Sequence, residues 1–145
     1  MLRTVLKAMS LAVLLSVSLT SYGAAKTTDE VWNHHLDAWN KQSVEDIVKD
    51  YDEKSILILN SQIFKGQEAI GHVFAQLFNI FNKGTSRIDT PVIKDRFVYL
   101  IWYLTAKGQS EFFGTDTFVV EEGKITLQTI TSAIFNTYPV EPIKK

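Results

Sequence analysis

The chain has no cysteine, so it can form no disulfide and carry no thiolate metal site or lipid-modified cysteine. Its 145 residues include only 3 prolines and 7 glycines, too few for a low-complexity or linker-rich chain. Charge of one sign is also missing. With 15 Lys and Arg against 16 Asp and Glu, no basic excess supports nucleic-acid binding. The one local basic cluster is Lys144-Lys145, at the very end. No apolar run reaches the roughly 20 residues that cross a bilayer; the longest uninterrupted one runs from Ala8 to Leu19.

What is present is an ordinary globular mixture: 46% hydrophobic, 21% charged and 12% aromatic residues, in a length that suits one domain. The first 25 residues follow a different logic. Arg3 and Lys7 precede the apolar run, and SYGAAKTT follows it, with Gly23 and Ala25 at the −3 and −1 positions of a cut after Ala25. That order is the three-part pattern of a secretory signal peptide, and the short apolar run favours it over a membrane anchor. The expectation is therefore an exported chain, periplasmic or secreted, with residues 1–25 removed, no stable membrane anchor after cleavage, and a single domain over 26–145. Losing Arg3 and Lys7 takes 15 bases to 13 against 16 acids, a net charge near −3.

The mature chain begins with helices. TTDEVWNHHLDAWNKQ offers Thr27 or Thr28 as a cap and Asp29 and Glu30 in the first turn, where the helix dipole favours acids. At 3.6 residues per turn Val31, Trp32, His35, Leu36 and Trp39 fall on one stripe, with His34 and Asp37 on the other side. SVEDIVKDY is predicted as a second helix with Val44, Ile47, Val48 and Tyr51 buried, and SILIL as a short strand. GQEAIGHVFAQLFNIFNKG is predicted as a third helix with an apolar face including Ile70, Phe74 and Phe78 and with His72 on the wet side. The remainder reads as strands: Ser86–Lys94, with Pro91 marking an edge or bulge; Arg96–Lys107; Ser110–Val120; and Ile125–Tyr138. Gly108-Gln109 and Glu122-Gly123 supply tight turns. Helices first and an antiparallel meander later make an α+β fold with helices on one face of a sheet.

One acid breaks the pattern. In FFGTDTFVVEEGKI, alternation puts Phe112, Gly114, Asp116, Phe118 and Val120 on one face, the more aromatic one. Asp116 is expected inward, where a carboxylate must be paired, hydrogen-bonded or protonated. His35, on the inward stripe of the first helix, is the candidate partner. Two readings stay open: a hydrogen-bonded structural pair, or a polar pair in an apolar cavity that transfers protons or grips a ligand oxygen. No third inward ligand accompanies them, so no metal and no cofactor is expected. GKIT is too short for a phosphate loop.

The order LDAWN, DIVKDYDEKSILI, FKGQEAIGHVFAQLF and FFGTDTFVVEEGKI resembles the nuclear transport factor 2-like superfamily in its SnoaL-like branch, over about residues 28 to 136. The resemblance implies a curved antiparallel sheet wrapped around three N-terminal helices, a cone-shaped, cystatin-like roll with an apolar pocket. It also implies a homodimer through the outer sheet face. Members include steroid isomerases, polyketide cyclases, epoxide hydrolases, dehydratases and non-catalytic binding domains, so fold alone does not assign activity. Aligned with the steroid isomerases, the strand acid matches Asp116 and the helix tyrosine falls on His35. The base position falls on Leu59, which cannot move a proton; Asn60 beside it can only orient a ligand.

These readings lead to a binding module for a small apolar or amphipathic molecule. Its expected pocket comprises Trp32, Trp39, Asn60, Phe74, Tyr99, Tyr103 and Phe118, with His35 and Asp116 at the polar end. The alternatives are a lyase, isomerase or cyclase using His35 and Asp116 as candidate catalytic residues, and an oligomerisation domain.

Overall fold

The computed structural model describes residues 24–144; the expected signal segment lies almost wholly outside them. Helix α1 spans Thr28–Asn40, α2 Val44–Ile47, α3 Gly66–Phe81 and α4 Ile134–Thr137. Strands are β1 (Ile56–Leu59), β2 (Gln62–Lys65), β3 (Gly84–Ile88), β4 (Val92–Lys94), β5 (Phe97–Ala106), β6 (Phe112–Glu121) and β7 (Lys124–Ser132). Among the described residues no helix is long and apolar enough to cross a membrane.

Thr27 closes the start of α1 with a full capping box: its side chain accepts from the Glu30 N–H while the Glu30 carboxylate accepts from the Thr27 N–H. The α1 stripe buries Val31, Trp32, His35 and Ala38. Helix α3 is apolar over most of its surface, and Ile70, Val73, Phe74 and Leu77 are almost fully buried. Each such side chain contributes roughly 1.5–3 kcal/mol relative to exposure.

The seven strands form one open, curved sheet in the order β2-β1-β7-β6-β5-β3, with β4 also paired to β5. Proline explains the last detail. Pro91 cannot donate to a ladder, and the expected Ser86–Lys94 strand divides into β3 and β4 on either side of it, both on the β5 edge. The sheet is antiparallel except where β1 lies parallel to β7. The expected long last strand stops at Ser132, and the chain turns into α4 before the prolines. The Glu122-Gly123 turn has positive φ at both residues, 51° and 76°, as a two-residue hairpin requires.

Alternation decides what faces the helices. On β5, Val98, Leu100, Trp102, Leu104 and Ala106 are buried, while Phe97, Tyr99 and Thr105 are exposed. On β6, Gly114, Asp116, Phe118 and Val120 are buried, as their spacing predicts. On β7 the parity changes. Val119 pairs with Leu127 but Val120 pairs with Ile125, so Thr126 is an extra residue, a bulge. Ile125 and Gln128 therefore both point inward although they are three apart.

Candidate functional site

A cavity of about 50 Å³ lies between α1, α3 and the inner sheet face, several times the roughly 10–15 Å³ that one water occupies. Trp32, Trp39, Phe74 and Phe118, named from the sequence, line it, as do His35 and Asp116. Leu36, Trp39 and Phe81 are only partly buried, and Ser86 and Ile88 of the edge strand β3 are exposed, so the cavity opens between α1, the end of α3 and β3.

Three expected pocket residues lie elsewhere. Tyr99 and Tyr103 sit on the outer face of β5, because strand parity separates them from Trp102. Tyr103 carries the Arg87 guanidinium stacked 3.5 Å above its ring centre. Asn60 is exposed at the end of β1, where its amide bridges to the backbone of Ser132, at 3.1 Å in both directions. In their place the cavity uses Trp102, Phe81 and Phe135, and Gln128 beside Asp116. Parity along β5 would have found Trp102; the β7 bulge hid Gln128.

Asp116 is anchored by two N–H donors from neighbouring strands. Trp102 Nε1 donates to Oδ1 and Gln128 Nε2 to Oδ2, each at 2.8 Å. The chain continues, since the Tyr51 hydroxyl donates to Gln128 Oε1. The first bond needs a glycine. Gly114 is the cross-strand partner of Trp102, and a Cβ built on it would lie 2.1 Å from the indole ring. The absent side chain lets the indole lie across β6 and reach the carboxylate two residues along. Burial pushes the Asp116 carboxyl up to about 6, with the two donors pulling the other way. Near neutral pH it is mainly ionised, and two of its four or so lone-pair positions remain free.

The expected His35–Asp116 pair does not form: Asp116 takes its donors from Trp102 and Gln128, and His35 turns its Nδ1 toward another acid. The acid beside His35 is Asp50, which is 2% exposed. Its Oδ2 lies 3.3 Å from His35 Nδ1, close but poorly aligned, so neither atom has an aligned hydrogen-bond partner. Its Oδ1 is bonded at 2.6 Å to Nδ1 of His34, whose side chain is 32% exposed. His34 is thus turned toward a buried acid rather than fully to water. The cause is the segment after α2, where Val48–Asp50 winds as a 3-10 turn and rotates Asp50 under α1. Burial lowers the His35 pKa, and the nearby Asp50 only partly offsets it. His35 is neutral near pH 7, packed against Phe118 at 5.1 Å and Phe74 at 5.6 Å between ring centres. Among the described residues no group of three His, Asp or Glu side chains is arranged to hold a metal.

A family model described as a SnoaL-like domain matches residues 32–128. No curated protein matches the sequence. Among solved structures, a SnoaL-like polyketide cyclase, so named provisionally, from Jannaschia sp. CCS1 is similar at 14% identity and TM-score 0.63, covering 81% of this chain and 92% of that one. An NTF2-like protein of unknown function from Cytophaga hutchinsonii is similar at 15% identity and TM-score 0.61, covering 77% and 95%. A steroid delta-isomerase from Pseudomonas aeruginosa is similar at 11% identity and TM-score 0.64, covering 72% and 78%. At these identities the likeness is one of fold.

Proposed function

The chain belongs to the SnoaL-like branch of the nuclear transport factor 2-like superfamily, and from that premise we propose that it binds a small, mainly apolar molecule in the cavity between α1 and the sheet. The observation that carries this reading is Asp116: a buried carboxylate, held from two sides, with free lone pairs in a cavity walled by aromatic rings. A fixed acid in an apolar pocket is what orients a ligand that is otherwise held by contact area. Because Trp32, Trp39 and Phe81 stand close around so small a volume, a molecule larger than a few heavy atoms enters by moving these side chains.

A second reading is favoured by one observation. His35 lines the same cavity with Asp50 behind its Nδ1, so its other ring nitrogen, Nε2, is the edge left for a ligand. That arrangement suits a general base acting on a bound molecule. It replaces the His35–Asp116 pair expected from the sequence.

A small-molecule screen followed by NMR tests both. Binders should shift the indole N–H signal of Trp102 and the amides of Trp32 and Phe118, and lose about tenfold in affinity in a folded Asp116→Asn variant. Binders that all map outside the cavity would sink the proposal. Any binder with an acidic C–H, incubated in D₂O, should exchange that hydrogen faster with wild type than with His35→Gln if the second reading holds.

A further inference from the structure

Asp50 lies directly behind His35, one of the two polar groups that the cavity places opposite each other. A neutral imidazole carries one N–H and one lone pair, and its surroundings choose between the two tautomers. At His35 the neighbouring acid favours one of them. With a buried carboxylate oxygen 3.3 Å from Nδ1, an unprotonated Nδ1 would set lone pair against lone pair, so the proton sits on Nδ1. Asp50 cannot swing away, because His34 holds its other oxygen at 2.6 Å. Nε2 is then an acceptor, and it has no protein partner among the described residues. Across the cavity Asp116 is an acceptor as well, since Trp102 and Gln128 both donate to it and Tyr51 fixes the Gln128 amide in the orientation that does so.

We infer that the cavity selects ligands presenting two hydrogen-bond donors, such as a diol or dihydric phenol, one to Asp116 and one to His35 Nε2, with Asp50 as the positioning residue and His34 as its clamp. This rests on the proposed binding function. Asp116 and His35 are the two positions that the resemblance to steroid isomerases matches to a strand acid and a helix tyrosine. Here both matching positions accept. A ligand with only acceptors would leave the two groups facing each other's lone pairs, desolvated and unpaired. The indole N–H groups of Trp32 and Trp39 and the Ser86 hydroxyl, which have no hydrogen-bond partner among the described residues, are left for any acceptors the ligand carries.

Two measurements on the mature domain test this. The first needs no ligand: long-range ¹H–¹⁵N NMR of the imidazoles at pH 7.5. His35 should show a protonated Nδ1 and a bare Nε2. In Asp50→Asn, which offers one acceptor and one donor in place of two acceptors, His35 should change to the Nε2-protonated form while His34 keeps the oxygen. A wild-type His35 already protonated on Nε2, or a tautomer unmoved by Asp50→Asn, overturns the inference. The second is a titration with resorcinol, phenol and 1,3-dimethoxybenzene. Resorcinol should bind about tenfold tighter than phenol and about a hundredfold tighter than the dimethyl ether, one factor for each donor lost. If the ether binds as well as resorcinol, the two-donor rule is wrong while the binding site stands. If none of the three reaches the cavity at millimolar concentration, the proposed binding function fails with it.

Discussion

Two buried carboxylates serve one cavity, Asp116 in its lining and Asp50 behind His35, and they are held in opposite ways. Asp116 sits on a central strand with an aligned donor on each oxygen, both from adjacent strands. Asp50 sits on a single 3-10 turn with one aligned partner, His34, and an oxygen that only approaches His35. The sheet site is rigid because register fixes every participant; the helical site depends on how a short turn packs under α1. The first behaves as a fixed feature of the cavity floor. The second hangs on a single clamp, and through His34 it touches solvent.

The largest expected effect is on the rigid side. Gly114→Ala places a methyl group against the Trp102 ring, which must leave its position over β6 and with it the bond to Asp116. A loss of about 3 kcal/mol is expected. Urea unfolding measures it, and a loss below about 1 kcal/mol would mean that the indole is not confined there. The His34–Asp50 bond should survive in this variant.

The next effect separates the two sites by the sign of their pH dependence. Asp116 is raised from 3.8 to about 6 in the folded state, so the folded protein holds that proton more tightly than the unfolded chain. Its contribution to stability is therefore highest below about pH 4 and declines as pH rises through 6, by about 3 kcal/mol in total. His35 runs the other way. Its pKa is lowered on folding, so its contribution is full above 6.5 and is lost as pH falls below that value. Asp116→Asn should remove the first slope and leave the second. Relative to wild type, the variant should gain about 2.4 kcal/mol between pH 4 and pH 7 in parallel denaturant titrations. A constant difference across that range would show that Asp116 is not desolvated.

The smallest effect probes the clamped side. His34→Ala removes the clamp on Asp50 and a nearby positive charge when His34 is protonated, and both changes favour protonating His35. The His35 titration followed by NMR should move upward, toward 6.5. A His35 curve identical to wild type would uncouple the two histidines.

The same contrast separates what could be read in the sequence from what could not. The α1 cap, the inward stripe with His35, the third helix and the inward face of β6 all follow from local periodicity, and Asp116 was found that way. Trp102 was within reach but obscured, because RFVYLIWYLTA is apolar on both faces and hydrophobicity does not report parity there. Gln128 was hidden by the Thr126 bulge, which shifts the inward positions of β7 by one residue. The link between His34 and Asp50 lies beyond periodicity altogether. It needs the change from α to 3-10 winding after Ile47, and no residue of VEDIVKDY announces that change. Tyr99, Tyr103 and Asn60 lie outside the cavity for a related reason: aromatic and polar character suggest a pocket, but pairing register decides the face.

The parallel pairing of β1 with β7 has a consequence for how the chain is made. Ile56–Leu59 lies beside Leu127–Ile130, about seventy positions downstream, so the sheet's order requires a contact of very long range. A ribosome that has delivered everything through β6 has supplied α1, α3 and Asp116, yet β1 still has only its short hairpin partner β2, and neither Gln128 nor a finished cavity floor exists. Assembly of the site therefore waits for the last strand, and a nascent chain stopped at residue 123 should carry all the aromatic residues of α1 and α3 without a cavity to place them around.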